Sequence, residues 1–290
     1  MVTLNLDAYL TRIGWPAQPI QHDLPTLTAL LQAHMQAIPF ENLDVLLGRG
    51  IRIDLGSVQD KLVRQRRGGY CFEHATLLAA VLEVLGFAPV RHLARVTLFV
   101  PRAQAGRTHM FLSVPLPEGR FVVDPGFGAH AARRPLPLQS GEAVAVEGDV
   151  HTLVQEADGR TWVLRAQIGA ETTSAQTASA AGGSSDEPAV EAWVSTLEPE
   201  SAIDFQLGNH YTSSHRDSAF VSHLMLRAFT PDGRVTVMDR AVTLRRRGRP
   251  PERWLLADRA ALRALLATYF GIDDLPEVAR LRVPAIPGWE

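Results

Sequence analysis

The sequence predicts an α+β protein laid out in three successive stretches. Apolar residues recur at helical spacing through the first 86 or so positions, and the pattern then changes to short β-branched and aromatic runs bounded by Pro and Gly. A polar, small-residue segment at 172–186 separates those runs from a tail of mixed strand and helix.

Leu24–Met35 puts Leu27, Leu30, Leu31 and Met35 on one helical face, and Pro39 breaks the pattern. A further helix is expected to begin near Cys71 and run through Leu77, Leu78, Val81, Leu82 and Leu85. Gly86 stops it and Pro89 prevents its resumption. Strands are expected at Arg95–Val100, Thr108–Val114, Arg120–Asp124, Ala143–Val146, His151–Gln155 and Thr161–Ala166, with Ala157-Asp158-Gly159 as a hairpin turn. Antiparallel strands so closely spaced form a barrel or a sandwich. Thr172–Asp186 is dominated by Ser, Thr, Ala and Gly, cannot bury enough surface to order itself, and reads as a flexible loop or linker. Beyond it, strands near Ser222–Phe229 and Arg234–Asp239 precede a helix over Arg259–Tyr269, with Leu262, Leu265 and Leu266 on one face. The expected units are therefore 1–88, 89–190 ending in the 172–186 loop, and 191–290, with no internal repeat.

The bulk composition excludes several function classes. With 29 basic and 31 acidic residues the net charge is −2, so there is no general basic surface for nucleic acid or an anionic membrane. The run Arg245-Arg246-Arg247-Gly248-Arg249 reads as a solvated turn. A single cysteine forbids an internal disulfide and any zinc site built from several cysteines, and no metal site is expected. The start, Met1 to Asp7, lacks a basic region followed by an apolar run, and Glu83 interrupts the longest apolar stretch, Ala75–Val90. A soluble protein of a reducing, cytoplasmic compartment is expected.

The one cysteine is the centre of the chemical reading. Cys71 follows Arg67-Gly68-Gly69-Tyr70 at the expected helix start, where unpaired N–H groups and partial positive charge favour a thiolate. A lone cysteine in a helix is ordinarily a core residue, and two other positions change that balance. His109 lies on an expected strand, and Asp124 closes the next one, just before Pro125-Gly126-Phe127-Gly128. A hairpin of this length sets the two on neighbouring strands at similar height, so that a carboxylate accepts the proton of one ring nitrogen and leaves the other for Cys71.

Several motifs together make a specific resemblance. Ile38-Pro39-Phe40-Glu41-Asn42-Leu43, Arg67-Gly68-Gly69-Tyr70-Cys71-Phe72-Glu73, Arg107-Thr108-His109 and Val123-Asp124-Pro125-Gly126-Phe127-Gly128 are similar, in order and spacing, to the arylamine N-acetyltransferase family. Weaker matches are Tyr9 to Gly14, Lys61-Leu62-Val63, Leu85-Gly86-Phe87, Arg95-Val96 and Asn209 to Ser214. The resemblance implies a helical bundle, an antiparallel β-barrel and a C-terminal α/β lid around a cysteine-protease-like catalytic core. It implies a Cys71, His109, Asp124 triad that moves acetyl from acetyl-CoA to arylamines, arylhydrazines or N-arylhydroxylamines by a ping-pong route, a reaction of xenobiotic metabolism. It also implies an aromatic substrate pocket at Phe40, Tyr70, Phe127 and Phe205, coenzyme A contacts at Gly126 and Gly128, and a Glu41–Arg67 pair. No permanently bound cofactor, nucleic-acid partner or membrane is implied, and the chain is expected to be a monomer or weak homo-oligomer. Ala75, where the family generally has Asn, and Pro125, where it has a small or apolar residue, depart from the pattern. Two other readings share the triad or the fold: a cysteine peptidase or transglutaminase-like acyl transferase, and a non-catalytic binding module.

Overall fold

The computed structural model describes residues 3–16, 19–169 and 189–289; the expected loop at 172–186 lies outside the described residues. The first unit is helical: α1 (Leu6–Arg12), α2 (Leu24–Ala37), a two-residue strand β1 (Phe40–Glu41), α3 (Leu43–Leu46), α4 (Leu55–Gln59), a wider turn over Asp60–Arg64, and α5 (Cys71–Val84). Asn5, Asp23 and Asp54 accept backbone N–H bonds at the starts of α1, α2 and α4, which stabilises orphan donors of the first turn. α5 is buried along nearly its whole length from Cys71 to Leu82, as its near-continuous apolar sequence requires.

The second unit is an eight-stranded antiparallel sheet: β2 (Val90–Val96), β3 (Arg107–Leu116), β4 (Gly119–Val123), β5 (Leu136–Pro137), β6 (Ala143–Val146), β7 (Asp149–Gln155), β8 (Trp162–Gln167) and β9 (Val190–Ser195). Its order is β5-β4-β3-β2-β9-β8-β7-β6. The sheet curls into a nearly closed barrel, where Gly141 N–H donates to Leu153 O at 2.8 Å and Gln155 N–H to Ser140 Oγ at 2.9 Å. The barrel and the helical unit share one core, to which Phe72, Leu78, Phe111, Leu112 and Trp193 all belong.

The third unit holds α6 (Ala202–Ser214), α7 (Ala219–Ser222), β10 (Met225–Thr230), β11 (Gly233–Met238), β12 (Ala241–Arg246), β13 (Glu252–Leu255) and α8 (Arg259–Leu265), which continues as a wider turn to Phe270. β10–β13 form an antiparallel sheet with its own core, and β1 of the helical unit is added at its edge through Phe40↔Arg227 and Glu41↔Leu226. Asp149 on β7 and Arg234 on β11 form a buried ion pair that ties this sheet to the barrel. Among the described residues, no helix is long and apolar enough to cross a membrane.

Several elements depart from expectation. The strand expected at Arg95–Val100 begins at Val90, directly after Pro89, and ends at Val96, while Phe99 and Val100 lie exposed before Pro101. α7, capped by the Ser218 hydroxyl, takes the start of the strand expected at Ser222. α6 escaped the pattern because Ile203, Leu207 and Tyr211, spaced as an apolar stripe, are exposed, whereas the face containing Gly208, Asn209 and Thr212 is buried. The arginine run is not a solvated turn throughout: Arg245 and Arg246 belong to β12, and Arg246 pairs with Glu252. β9 crosses the boundary expected at 190 and completes the barrel.

Three helices of the first unit are joined by a buried polar chain. Tyr9 Oη lies 2.9 Å from His34 Nδ1, His34 Nε2 lies 2.9 Å from His74 Nδ1, and His74 Nε2 lies 3.2 Å from Pro39 O. Pro39 O only accepts, so His74 carries its proton on Nε2, His34 does likewise, and the Tyr9 hydroxyl donates. Every group is then satisfied with both imidazoles neutral. Burial holds His34 well below its ordinary value and His74 down to about 3.

The unfolded chain protonates these imidazoles near pH 6.5 whereas the folded chain resists, so stability is full above that pH and falls as pH drops towards the folded values. Each such histidine contributes a slope of about 1.4 kcal/mol per pH unit. The melting temperature is expected to fall steadily from about pH 6.5 to about pH 4. His74→Gln, which keeps a donor for Pro39 O, should flatten that fall by one proton's share. A melting temperature constant over this range overturns the assignment of neutral histidines.

Candidate active site

Cys71 occupies the first position of α5, and two contacts place that helix start. Glu73 Oε2 accepts the Tyr70 N–H at 3.0 Å, as the glutamate of a capping box does. Its other oxygen meets Lys61 Nζ at 2.8 Å. Lys61 also reaches Asp44 at 2.9 Å, and Arg67 donates to Glu41 at 2.7 and 3.1 Å and to Asp44 at 3.2 Å. Burial opposes the charge on Lys61, but Glu73, Glu41 and Asp44 outweigh it and push its pKa up. The expected Glu41–Arg67 contact is thus one part of a larger buried network. The two glycines before Tyr70 permit this approach: a Cβ on Gly68 would lie 2.2 Å from Pro39 O, and one on Gly69 2.7 Å from Glu73 Oε2.

The barrel brings in the other two groups. β3 and β4 pair through Leu112↔Val123, so Asp124, one residue past the strand, extends the register opposite Phe111 on the face that also carries His109. His109 Nε2 lies 2.8 Å from Asp124 Oδ2, and both side chains are buried. The remaining ring nitrogen, Nδ1, is left for the thiol. Burial opposes protonation of His109, yet the Asp124 carboxylate, its hydrogen bond and Cys71 together raise its pKa to about 10. The shift favours the protonated ring, which has a carboxylate on one side and a thiol at a helix N-terminus on the other. Cys71 is 2% exposed, and its Sγ lies 3.9 Å from Thr108 O.

The expected pocket residues divide. The Phe127 ring lies 4.6 Å from the His109 ring. Phe40 and Tyr70 both pack edge-on against Phe220, at 6.2 and 5.4 Å, but the Tyr70 hydroxyl is engaged by Asn209 Oδ1. Phe205 is buried on α6 and belongs to the same core. Gly126 packs on the cysteine helix, where a Cβ would lie 2.5 Å from Cys71 Cα, and Gly128, at φ +57°, faces the Phe40 ring. Among the described residues, no group of three or more His, Cys, Asp or Glu side chains could hold a metal ion.

Sequence reasoning missed Trp193. Its Nε1 donates to Asp124 Oδ2 at 3.2 Å, and its ring stacks on Phe111 at 4.6 Å. Trp193 lies 69 residues beyond Asp124, on a strand that also pairs with the distant β2, so no local motif signals it. Phe220 was missed for a similar reason, since it sits on a four-residue helix without periodicity.

A family model described as N-acetyltransferase matches residues 23–276. The chain is 35% identical to an arylamine N-acetyltransferase of Mycolicibacterium smegmatis over 94% of this chain and 93% of that protein. It is 34% identical to one from Escherichia coli K12, over 94% and 91%. Among solved structures, the Mycobacterium marinum arylamine N-acetyltransferase in complex with CoA superposes with a TM-score of 0.82 at 33% identity, covering 96% of this chain and 97% of that one. A variant of the Mycobacterium smegmatis enzyme gives 0.83 at 33%, covering 98% and 100%.

Gly126→Ala is expected to destabilise the protein by about 2 kcal/mol or more, because the new methyl overlaps the Cys71 backbone rather than a flexible side-chain end. Chemical denaturation measures this. Stability within about 0.5 kcal/mol of wild type would show that the turn can move off the helix at little cost.

Proposed function

We propose, from the premise that this chain belongs to the arylamine N-acetyltransferase family, that it transfers acetyl from acetyl-CoA to aromatic amines, with Cys71 as the carrier. One observation carries the reading: a buried His109–Asp124 pair at 2.8 Å leaves one ring nitrogen free beside the only thiol in the chain, at the start of a buried helix. The division of labour is that of a nucleophile, a proton carrier and an orienting carboxylate. Names and structures of the relatives support acetyl-CoA as donor and an acyltransferase rather than a peptidase.

In the first half-reaction the Cys71 thiolate attacks the thioester carbonyl. N–H groups at the start of α5 stabilise the oxyanion, and the C–S bond to coenzyme A breaks. His109 gives its proton to the departing thiolate. An aromatic amine, uncharged at neutral pH, then attacks acetyl-Cys71, its N–H proton passes to His109, and the Cys71 thiolate returns. Asp124 holds the ring and offsets its charge, while Trp193 holds Asp124. Phe127, beside the imidazole, is well placed to stack with the aryl ring; Phe40, Tyr70 and Phe205 complete the apolar surroundings, and Gly126 and Gly128 form the turn over which coenzyme A approaches. Arylhydrazines and N-arylhydroxylamines, with nucleophilic nitrogen or oxygen on the same aryl frame, fit the same chemistry, as does a role in xenobiotic metabolism.

The helical unit and barrel together form the cysteine-protease-like core in this reading, and the third unit is the lid. The units are 1–88, a barrel carried to Ser195 by β9, and the remainder. A cytoplasmic monomer or weak homo-oligomer without nucleic-acid or membrane partners is consistent with the near-neutral charge and the unpaired thiol.

Incubation with acetyl-CoA and no acceptor should leave one acetyl group on the chain, at Cys71, by intact mass and peptide mapping. Initial rates with both substrates varied should give parallel lines, and intersecting lines would exclude the covalent scheme. Asp124→Asn leaves burial as the main influence on His109, which lowers its proton affinity. Turnover should fall at least about a hundredfold, and iodoacetamide labelling at about pH 6 at least about tenfold. Unchanged labelling and turnover would reduce Asp124 to a turn residue.

A further inference from the structure

Arg227, on β10 of the third unit, is 1% exposed and forms no salt bridge among the described residues. Its Nη2 donates to Pro125 O at 3.3 Å, whereas its Nε and Nη1 have no acceptor among the described residues. The guanidinium lies 4.7 Å above the Phe229 ring, whose environment it shares with Arg133 at 4.3 Å. Of the two carboxylates that act on it, Asp149 is already engaged. Asp149 is forked by Arg234 and also accepts the Gly169 N–H, and Glu147 is paired with Arg133. Burial, with Arg234 and Arg133, lowers the Arg227 pKa to about 9, while Asp124 and Asp149 work the other way, so it remains a cation at neutral pH. The groups facing it from the helices are the neutral His34 on α2 and His74 on α5, which bring no negative charge.

An uncompensated buried charge is strongly destabilising, and an apolar side chain of similar volume would remove that cost. The complementary deficit lies one residue from the carbonyl Arg227 holds: Asp124 Oδ1 is buried without a partner among the described residues, its other oxygen serving His109 and Trp193. We propose that Arg227 is a positioning residue for acyl transfer: from the third unit it holds the Pro125 carbonyl and supplies the positive charge that balances Asp124 behind the Cys71–His109 pair. This rests on the triad reading above. The third unit is then part of the site's electrostatics as well as its cover. A cation here lowers the proton affinity of the whole coupled group, so its removal shifts thiol reactivity to higher pH.

The experiment is iodoacetamide labelling against pH for wild type, Arg227→Lys, Arg227→Gln and Arg227→Met, with melting temperatures for each. Gln keeps a donor for Pro125 O but not the charge; Lys keeps the charge. The labelling midpoint should rise by roughly 0.5 to 1 pH unit in the Gln and Met variants and stay near wild type in Lys. Should Gln and Met superpose on wild type while melting earlier, Arg227 is a packing residue and the proposal fails. If Met shifts and Gln does not, the hydrogen bond rather than the charge acts, which also overturns it. Wild type titrating like a free thiol, near 8.5, would instead refute the triad reading, a separate result.

Discussion

The contact between the first turn of α5 and the Pro125–Gly128 turn governs how this molecule is assembled. Gly126 comes so near the Cys71 backbone that any side chain there would overlap Cys71 Cα. The helical unit and the barrel are therefore fixed against each other at Cys71, by a glycine two residues along from Asp124, the partner of His109. Both sides of the contact are braced from behind. Glu73, held by Lys61, accepts from Tyr70 on the helix side, and Trp193 holds Asp124 on the barrel side. The shared core, continuous from Leu27 to Trp193, keeps these braces from moving independently.

Charge is handled in three ways around this contact. In the Glu41, Asp44, Lys61, Arg67 and Glu73 network, two buried bases share three buried acids and fix the loop leading to Cys71. Along Tyr9, His34 and His74 the polar groups are uncharged, and the direction of their hydrogen bonds follows from the carbonyl at the end. At His109 and Asp124 an imidazole and a carboxylate meet in the interior, with Arg227, which pairs with no carboxylate among the described residues, nearby. Paired and neutral groups make up the frame, and the unpartnered polar atoms of Asp124 and Arg227 lie beside His109.

How much was readable in advance depended on the distance over which each signal acts. The helix from Cys71 was legible because its apolar run and Gly86 stop lie within one segment. The His109–Asp124 approach was legible because a hairpin joins its two strands. α6 was not, since packing against β3 buries Gly208, Asn209 and Thr212 and leaves Leu207 in solvent, the reverse of an amphipathic pattern. Gly208 is small because a Cβ there would meet Arg107 O at 2.9 Å, a constraint seen only across the interface.

Local pattern was sufficient for the order of helical, strand-rich and mixed stretches, for the position of the thiol at a helix start, and for the pairing of His109 with Asp124. These follow from periodicity, turn chemistry and short-range register, which are properties of contiguous residues. Long-range packing settled the rest: β9 joining β2 to β8, Trp193 reaching Asp124, β1 joining a sheet that begins at Met225, and Arg227 arriving behind Pro125. Those contacts join residues about 70 to 190 positions apart, and their partners are chosen by the shape and unmet hydrogen bonds of a folded interior. No window of sequence contains both sides of such a choice.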